Sequence, residues 1–299
     1  MSAPGFIAVT GATGAVGGRV ARLLAEQGAR LRLVVRDPSR APELAGAEVA
    51  RATYDDADAL RAAFTGVDAV FFVSAAEHPE RIRQHLTAAD AIQAAGVDRV
   101  VYTSFLGAAE DCTFTLGRHH WITEQRLREH DLAFTFLRDS LYLDFMSFIA
   151  GDEGVIRGPA GDGAFAPVAR DDVADAAVAV LLGLLSGHGG HEQASYDLTG
   201  ARLQTFDEIA ADLTALAGRP VRYERETMEQ AWASREKYGA PDWEVEGWVS
   251  SYAAIGAGEL AWVSDAVLRL TGHDPLTLRQ LVERHPELIA GLRAGGTRT

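Results

Sequence analysis

Six short runs rich in β-branched and aromatic side chains, at 6–10, 31–35, 48–52, 69–73, 99–103 and 133–137, punctuate the first half of the chain. Between them, 17–27, 79–95 and 119–130 carry apolar residues at three- and four-residue spacing and close on Gly or a polar turn, the pattern of amphipathic helices. Strands that alternate with helices of this length pair in parallel, because the helix returns the chain to the same end of the sheet. The pattern predicts an α/β domain with a doubly wound parallel sheet.

Past residue 150 the texture changes. Residues 151–167 are rich in Gly and Pro and read as a loop or short hairpin. A helix over 171–185 and a strand over 196–199 follow, then helices over 205–216 and 228–238 without further alternation. The expected division is a sheet domain over 1–150 and a smaller C-terminal lobe over 151–299, with about 167–200 packing back on the sheet. Trp232, Trp243, Trp248 and Trp262 gather in this second half, as packing or as the lining of an apolar pocket.

Composition narrows the partners. With 47% hydrophobic and 23% charged residues the chain is globular, and its net charge of -14 repels nucleic acid and anionic membranes. The longest apolar stretch, 176–185, is half the ~20 residues that span a bilayer. A lone Cys112, with no basic-then-apolar leader and no CxxC pair, points to a reducing cytoplasm. A monomer or homodimer acting on a small molecule is expected.

The strongest local signal is Thr10-Gly11-Ala12-Thr13-Gly14-Ala15-Val16-Gly17, directly after the first strand and opening a helix. Glycines there let the backbone turn tightly and approach a diphosphate, while amides of the helix N-terminus face it. After the second strand come Arg36, suited to the 2′-phosphate of NADP, and Asp37, which keeps NAD open. Asp55 can reach the adenine amino group, whereas Asp56 can equally cap the next helix. Ser74 and Ala75 end the fourth strand and are small enough for a cofactor to lie close.

Three more motifs follow: Val101-Tyr102-Thr103-Ser104, His120-Trp121-Ile122-Thr123-Glu124, and Phe134-Thr135-Phe136-Leu137-Arg138 leading to Tyr142. With the glycine turn they resemble the atypical short-chain dehydrogenase/reductases of the NmrA-like type, which include bacterial NAD(P)H:quinone oxidoreductases and triphenylmethane dye reductases. The resemblance covers about residues 5–200 well and the rest loosely. It implies a Rossmann-type sheet with a smaller C-terminal substrate lobe, and NADP(H), with NAD(H) possible, as cofactor. Expected cofactor contacts are Thr10, Gly11, Thr13, Gly14, Ala15, Val16, Gly17, Arg36, Asp55, Ser74, Ala75, Ser104 and His120.

Ordinary members of that superfamily use a serine and a Tyr-x-x-x-Lys pair to handle the proton on the substrate oxygen. Ser104 stands where the serine would, but the pair reads Leu116-Gly117-Arg118-His119-His120, with leucine for tyrosine and histidine for lysine. General acid catalysis is worth about 10²–10⁴-fold, so its loss favours acceptors that delocalise an arriving electron pair. By resemblance His120 lies near the nicotinamide or substrate and, with Ser104, forms the catalytic edge. The helix spacing alone also lets His120 pair with Glu124, and leaves His119 exposed. Leu141 and Tyr142 fall where the chain crosses to the substrate side; Tyr142 can stack on a flat acceptor or pack as core with Phe145 and Phe148. Neither His120 with Glu124 nor His188 with His191 has an evident third ligand, so no metal is expected. The function implied is an NAD(P)H-dependent oxidoreductase passing hydride to a small conjugated acceptor such as a quinone or dye. The alternative is an NmrA-like NADP(H) redox sensor without turnover.

Overall fold

The computed structural model describes residues 5–187 and 190–293, so His188 lies outside the described residues. Strands β1 (Phe6–Thr10), β2 (Arg30–Val35), β3 (Ala47–Arg51), β4 (Ala69–Phe72), β5 (Arg99–Phe105) and β6 (Ala133–Asp139) form one parallel sheet. Two short strands, β7 (Val155–Gly158) and β8 (Ala164–Phe165), lie apart from it, and β9 (Ala194–Leu198) returns to pair in parallel with β6. The order is β3-β2-β1-β4-β5-β6-β9. The order reverses between β1 and β4, and the crevice outside the carboxyl ends of these two strands is where such sheets receive ligands.

Period-two alternation explains why both faces are covered. Ile7, Val9, Leu31, Leu33 and Phe71 point to one side, against Val20 and Leu24 of α1 (Ala15–Glu26), and the same cluster takes in a later helix described below. Ala8, Val34, Val70, Phe72, Val100 and Phe136 point to the other. There they meet Leu60 and Phe64 of α2 (Ala57–Phe64), Ala88 and Ile92 of α3 (Arg81–Ala94), and Leu127 of α4 (Thr115–Glu129).

After β6 the chain makes a 3₁₀ turn (Leu143–Phe145) and the short α5 (Met146–Ala150), then runs through β7 and β8 into α6 (Arg170–Ser186). Val173, Ala177, Val180 and Leu184 of α6 pack beside α1 on the first sheet face. The remainder builds a second core around Phe105, Leu143, Met146, Ile156, Phe165, Phe206 and Ile255, with α7 (Phe206–Ala217) and α9 (Asp242–Gly256), while Ala231 of α8 (Met228–Arg235) packs separately on Val245 and Val249 of α9.

The Gly- and Pro-rich stretch is not a hairpin. β8 pairs antiparallel with β10 (Gln204–Thr205), and β7 pairs in parallel with β11 (Arg222–Arg225). Its glycines serve close packing instead: a Cβ at Gly158 would overlap the Tyr252 ring, and one at Gly163 would meet the backbone of Ile255 and Gly256. The helix expected over 228–238 ends at Arg235 and finishes as a 3₁₀ turn (Glu236–Tyr238) closed by Gly239 in the left-handed conformation. Among the described residues no helix is long and apolar enough to cross a membrane.

Candidate active site

The glycine turn is built from backbone. Gly11 has φ +60°, a conformation that side chains disfavour, and its carbonyl accepts from Gly14 N–H at 2.8 Å. A Cβ on Gly17 would overlap the Gly11 carbonyl and come within 2.7 Å of Thr10 O, so only glycine lets α1 start this close to β1. Gly14 caps the helix without a side-chain hydrogen bond, and the first turn carries no acidic residue. Among the described residues its leading amides therefore have no side-chain cap and no acidic residue in the first turn, which suits an anionic diphosphate. Thr13, Gly14 and Ala15 are well exposed there, whereas Val16 is buried as part of the core.

Arg36, at the end of β2, is exposed and has no hydrogen bond or ion pair among the described residues. Asp37 is already used: it caps the 3₁₀ turn Pro38–Arg40 by accepting from Ser39 N (3.0 Å) and Ser39 Oγ (2.7 Å). Those bonds, with the nearby charges of Arg40 and Arg51, hold its carboxyl below the ordinary range. Arg36, Arg40 and Arg51 thus cluster around this turn, where the exposed Asp37 carboxylate is engaged by Ser39. Asp55 is held by Arg83 Nη2 (2.7 Å) and by Gln84, and Asp56 caps α2 through Ala59 N (3.0 Å).

Three consecutive amides beyond β4 each donate to a side chain from a different element. Val73 N–H reaches Thr10 Oγ1, Ser74 N–H reaches Thr103 Oγ1, and Ala75 N–H reaches His85 Nε2, all at 2.8 Å. Ala75 is clamped on its other side too, its carbonyl accepting from Arg81 Nε at 2.9 Å. The floor at the order reversal is thereby fixed. Thr10 Oγ1 also takes the Tyr54 hydroxyl at 2.6 Å. Thr10→Val keeps the shape but strands the Val73 amide, so urea denaturation should show a loss of about 2 kcal/mol.

Because His85 Nε2 accepts from a backbone N–H, its proton sits on Nδ1, which donates to Thr123 Oγ1 at 2.8 Å. His120 obeys the same logic. Its Nε2 faces the Arg81 guanidinium at 3.0 Å and must accept, so Nδ1–H donates to the Tyr102 hydroxyl at 2.9 Å. Burial, then the charge of Arg81, hold both imidazoles well below their usual range. His120 is 6% exposed and has no spare N–H. His119, expected at the surface, is half-buried.

Ser104 donates to Glu124 Oε1 at 2.6 Å, and Arg138 grips the same fully buried carboxylate through Nε (2.8 Å) and Nη2 (2.6 Å). The His120 and Glu124 side chains do not pair. Two neighbouring strands offer Glu124 a hydroxyl and a bidentate guanidinium, the stronger partner for a carboxylate. Ser104 and His120 both lie between β5 and α4, but on separate partners. Arg81 and His85 carry a sequence signal in their spacing: 81, 85, 88 and 92 form one helical stripe, so both point inward.

Tyr142 and Leu141 line a cavity of about 1030 Å³ between the sheet and the C-terminal lobe. Phe145, Phe148, Tyr238, Trp248 and Tyr252 add aromatic walls, and Arg170 lies over the Tyr142 ring at 4.7 Å. Phe145 and Phe148 are not core: they stack edge to face at 5.1 Å, and Phe148 is 73% exposed. Of the four tryptophans singled out, Trp248 reaches this cavity, donating to Glu77 Oε2 at 3.1 Å, while Trp232 lines a smaller pocket.

The Tyr142 hydroxyl donates to Asp139 Oδ2 at 2.8 Å. Burial pushes the Asp139 carboxyl up to about 8, from an ordinary 3.8. Between those values the folded protein holds a proton that the unfolded chain has released, so stability is lost as pH rises across that window. Asp139→Asn removes the loss. Its gain in Tm over wild type, followed by calorimetry, should be larger at about pH 9 than at about pH 5.

A family model described as NAD(P)H-binding matches residues 11–182. An NAD(P)H azoreductase of Xenophilus azovorans is 32% identical over 285 residues, covering 94% of this chain and 98% of that protein. Quinone oxidoreductase 2 of Escherichia coli is 33% identical over 286 residues, covering 93% and 97%. The crystal structure of Citrobacter sp. triphenylmethane reductase complexed with NADP(H) has TM-score 0.81 at 32% identity, covering 93% of this chain and 99% of its own. The family match begins inside the glycine turn and runs through both layers that enclose the sheet, and by it this chain belongs to the NAD(P)H-binding family.

Proposed function

We propose that the protein is an NAD(P)H-dependent reductase that passes hydride to a small conjugated acceptor, with quinones, azo dyes and triarylmethane dyes as the class. The observation that carries this is the placement of Tyr142. It packs on the cluster that includes Ala12 and Val16 of the glycine turn, and it also lines the aromatic cavity. The aromatic cavity would receive the acceptor, and Gly11, Gly14, Gly17, Ser74 and Ala75 would hold the dinucleotide. Bound there, the cofactor supplies the hydride; the chain orients it, excludes water and stacks the flat acceptor.

Gly11, Gly14 and Gly17 form the phosphate turn and Arg36 meets the 2′-phosphate, which favours NADPH over NADH. Ser104 and His120 act from behind the sheet edge, holding Glu124, Arg138 and the Ala75 loop in place. A reducing cytoplasm suits the single cysteine and this chemistry. The sensor alternative finds less support, since relatives at 32–33% identity over nearly the whole chain carry reductase names. The test is to follow the absorbance of NADPH with a panel of quinones and dyes. Turnover well above the uncatalysed rate is expected; binding without turnover on any acceptor would favour the sensor.

A further inference from the structure

We propose that Asp139 and Tyr142 are the general-acid pair of this reductase, Tyr142 giving its proton to the acceptor oxygen and Asp139 replacing it. The inference rests on the reductase reading above. It answers the loss of tyrosine at position 116 of α4, because the cavity wall supplies a phenol from the turn that follows β6.

Asp139 closes β6 and is 2% exposed. Its one side-chain partner is the Tyr142 hydroxyl; Oδ1, and Oγ of adjacent Ser140, are buried without any partner among the described residues. The titratable groups around the pair offer no counter-charge to Asp139. Tyr102 approaches from β5, Arg170 of α6 covers the Tyr142 ring, and Asp144 of the 3₁₀ turn is itself faced by Arg19 of α1 at 3.5 Å. A carboxyl with one neutral donor and no cation in contact is poorly stabilised as an anion, and keeps its proton at neutral pH. Protonated, it donates to Tyr142 Oη, and the phenolic hydrogen is then free to turn towards the cavity.

The step balances. The acceptor takes a hydride, with its electron pair, from the reduced nicotinamide and becomes an oxyanion. The Tyr142 O–H bond breaks as an O–H bond forms on that oxygen, and the Asp139 proton passes to the phenolate. Asp139 is left as a carboxylate that water reprotonates. A cationic triarylmethane dye needs no such proton, because hydride alone neutralises it as a new C–H bond.

The experiment compares wild type, Tyr142→Phe and Asp139→Asn on a 1,4-quinone and on a cationic triarylmethane dye, with NADPH. Infrared titration of the cofactor-free proteins follows the protonated carboxyl band. Tyr142→Phe should lower kcat on the quinone about 10²-fold and on the dye at least about tenfold less, so that the quinone-to-dye ratio of kcat falls. Wild-type kcat on the quinone should fall as pH rises through about 8, a limb absent from Asp139→Asn. The band should titrate in the same range and vanish in Asp139→Asn. An unchanged quinone rate in Tyr142→Phe, equal losses on both acceptors, or no such band at neutral pH each overturns the proposal. Wild type inert on both acceptors instead overturns the reductase reading, and the pair's role falls with it.

Discussion

Gly17→Ala will raise the Kd for NADPH by about 10² or more while leaving the fold largely intact. The added methyl group overlaps the Gly11 carbonyl and sits 2.7 Å from Thr10 O, both of them backbone. Neither can swing aside as a side chain would, so the turn must open or α1 must withdraw from β1. Either movement takes the leading amides out of line with the diphosphate. Hydrogen bonds to charged groups are worth about 1.5–3 kcal/mol each, and losing two corresponds to roughly 10²–10⁴ in Kd. Gly28→Ala is the matched control. Gly28, unlike the helical Gly17, has a positive φ, +78°, and lies past the far end of α1 with nothing within 4 Å of a Cβ. It should cost about 1 kcal/mol of stability and leave the NADPH Kd unchanged. If both variants bind alike, measured by calorimetry, the turn does not hold the diphosphate.

The second large effect is on cofactor choice. Arg36→Asp exchanges an exposed guanidinium for a carboxylate that repels a dianionic 2′-phosphate and accepts from a ribose 2′-hydroxyl. The ratio of kcat/KM for NADPH over NADH should fall about 10²-fold, from the loss of one charged hydrogen bond and the gain of a repulsion. Arg40 and Arg51 remain in the same corner, close enough to Asp37 to lower its carboxyl. They should keep some NADPH binding, and what remains should weaken with salt. An unchanged ratio would place the 2′-phosphate elsewhere.

The sheet was readable because its signals are long and redundant. Every one of the first six strands except the exposed edge strand β3 has at least four buried residues whose alternate positions serve two covered faces, and helices of a dozen or so residues separate most of them. The return of the chain through α6 and β9 was also visible, in the apolar run 176–185 and the strand near 196. The lobe was less readable for a physical reason. β8 and β10 are two residues each, too short for any period, and β7 finds its partner in β11 across more than sixty residues of sequence.

In the site, the glycine turn was legible because its constraint is local, a backbone that excludes side chains. Side chains that meet across the sheet were not. The spacing of His120 and Glu124 suggested a pair within one helix, but Arg138 and Ser104 come from two strands that only the fold brings beside that helix. Asp139 reads in sequence as an ordinary strand-end acid. Its burial and its single bond to Tyr142 follow from the 3₁₀ turn that brings the chain back beneath it.

The most direct measurement is isothermal titration of the folded protein with NADPH, with NADH as comparison, for wild type and Gly17→Ala. Uptake of one NADPH per chain by wild type, weaker for NADH and lost in Gly17→Ala, is the expected result. Folded wild-type protein that takes up neither dinucleotide would contradict the assignment of the glycine turn and every role derived from it.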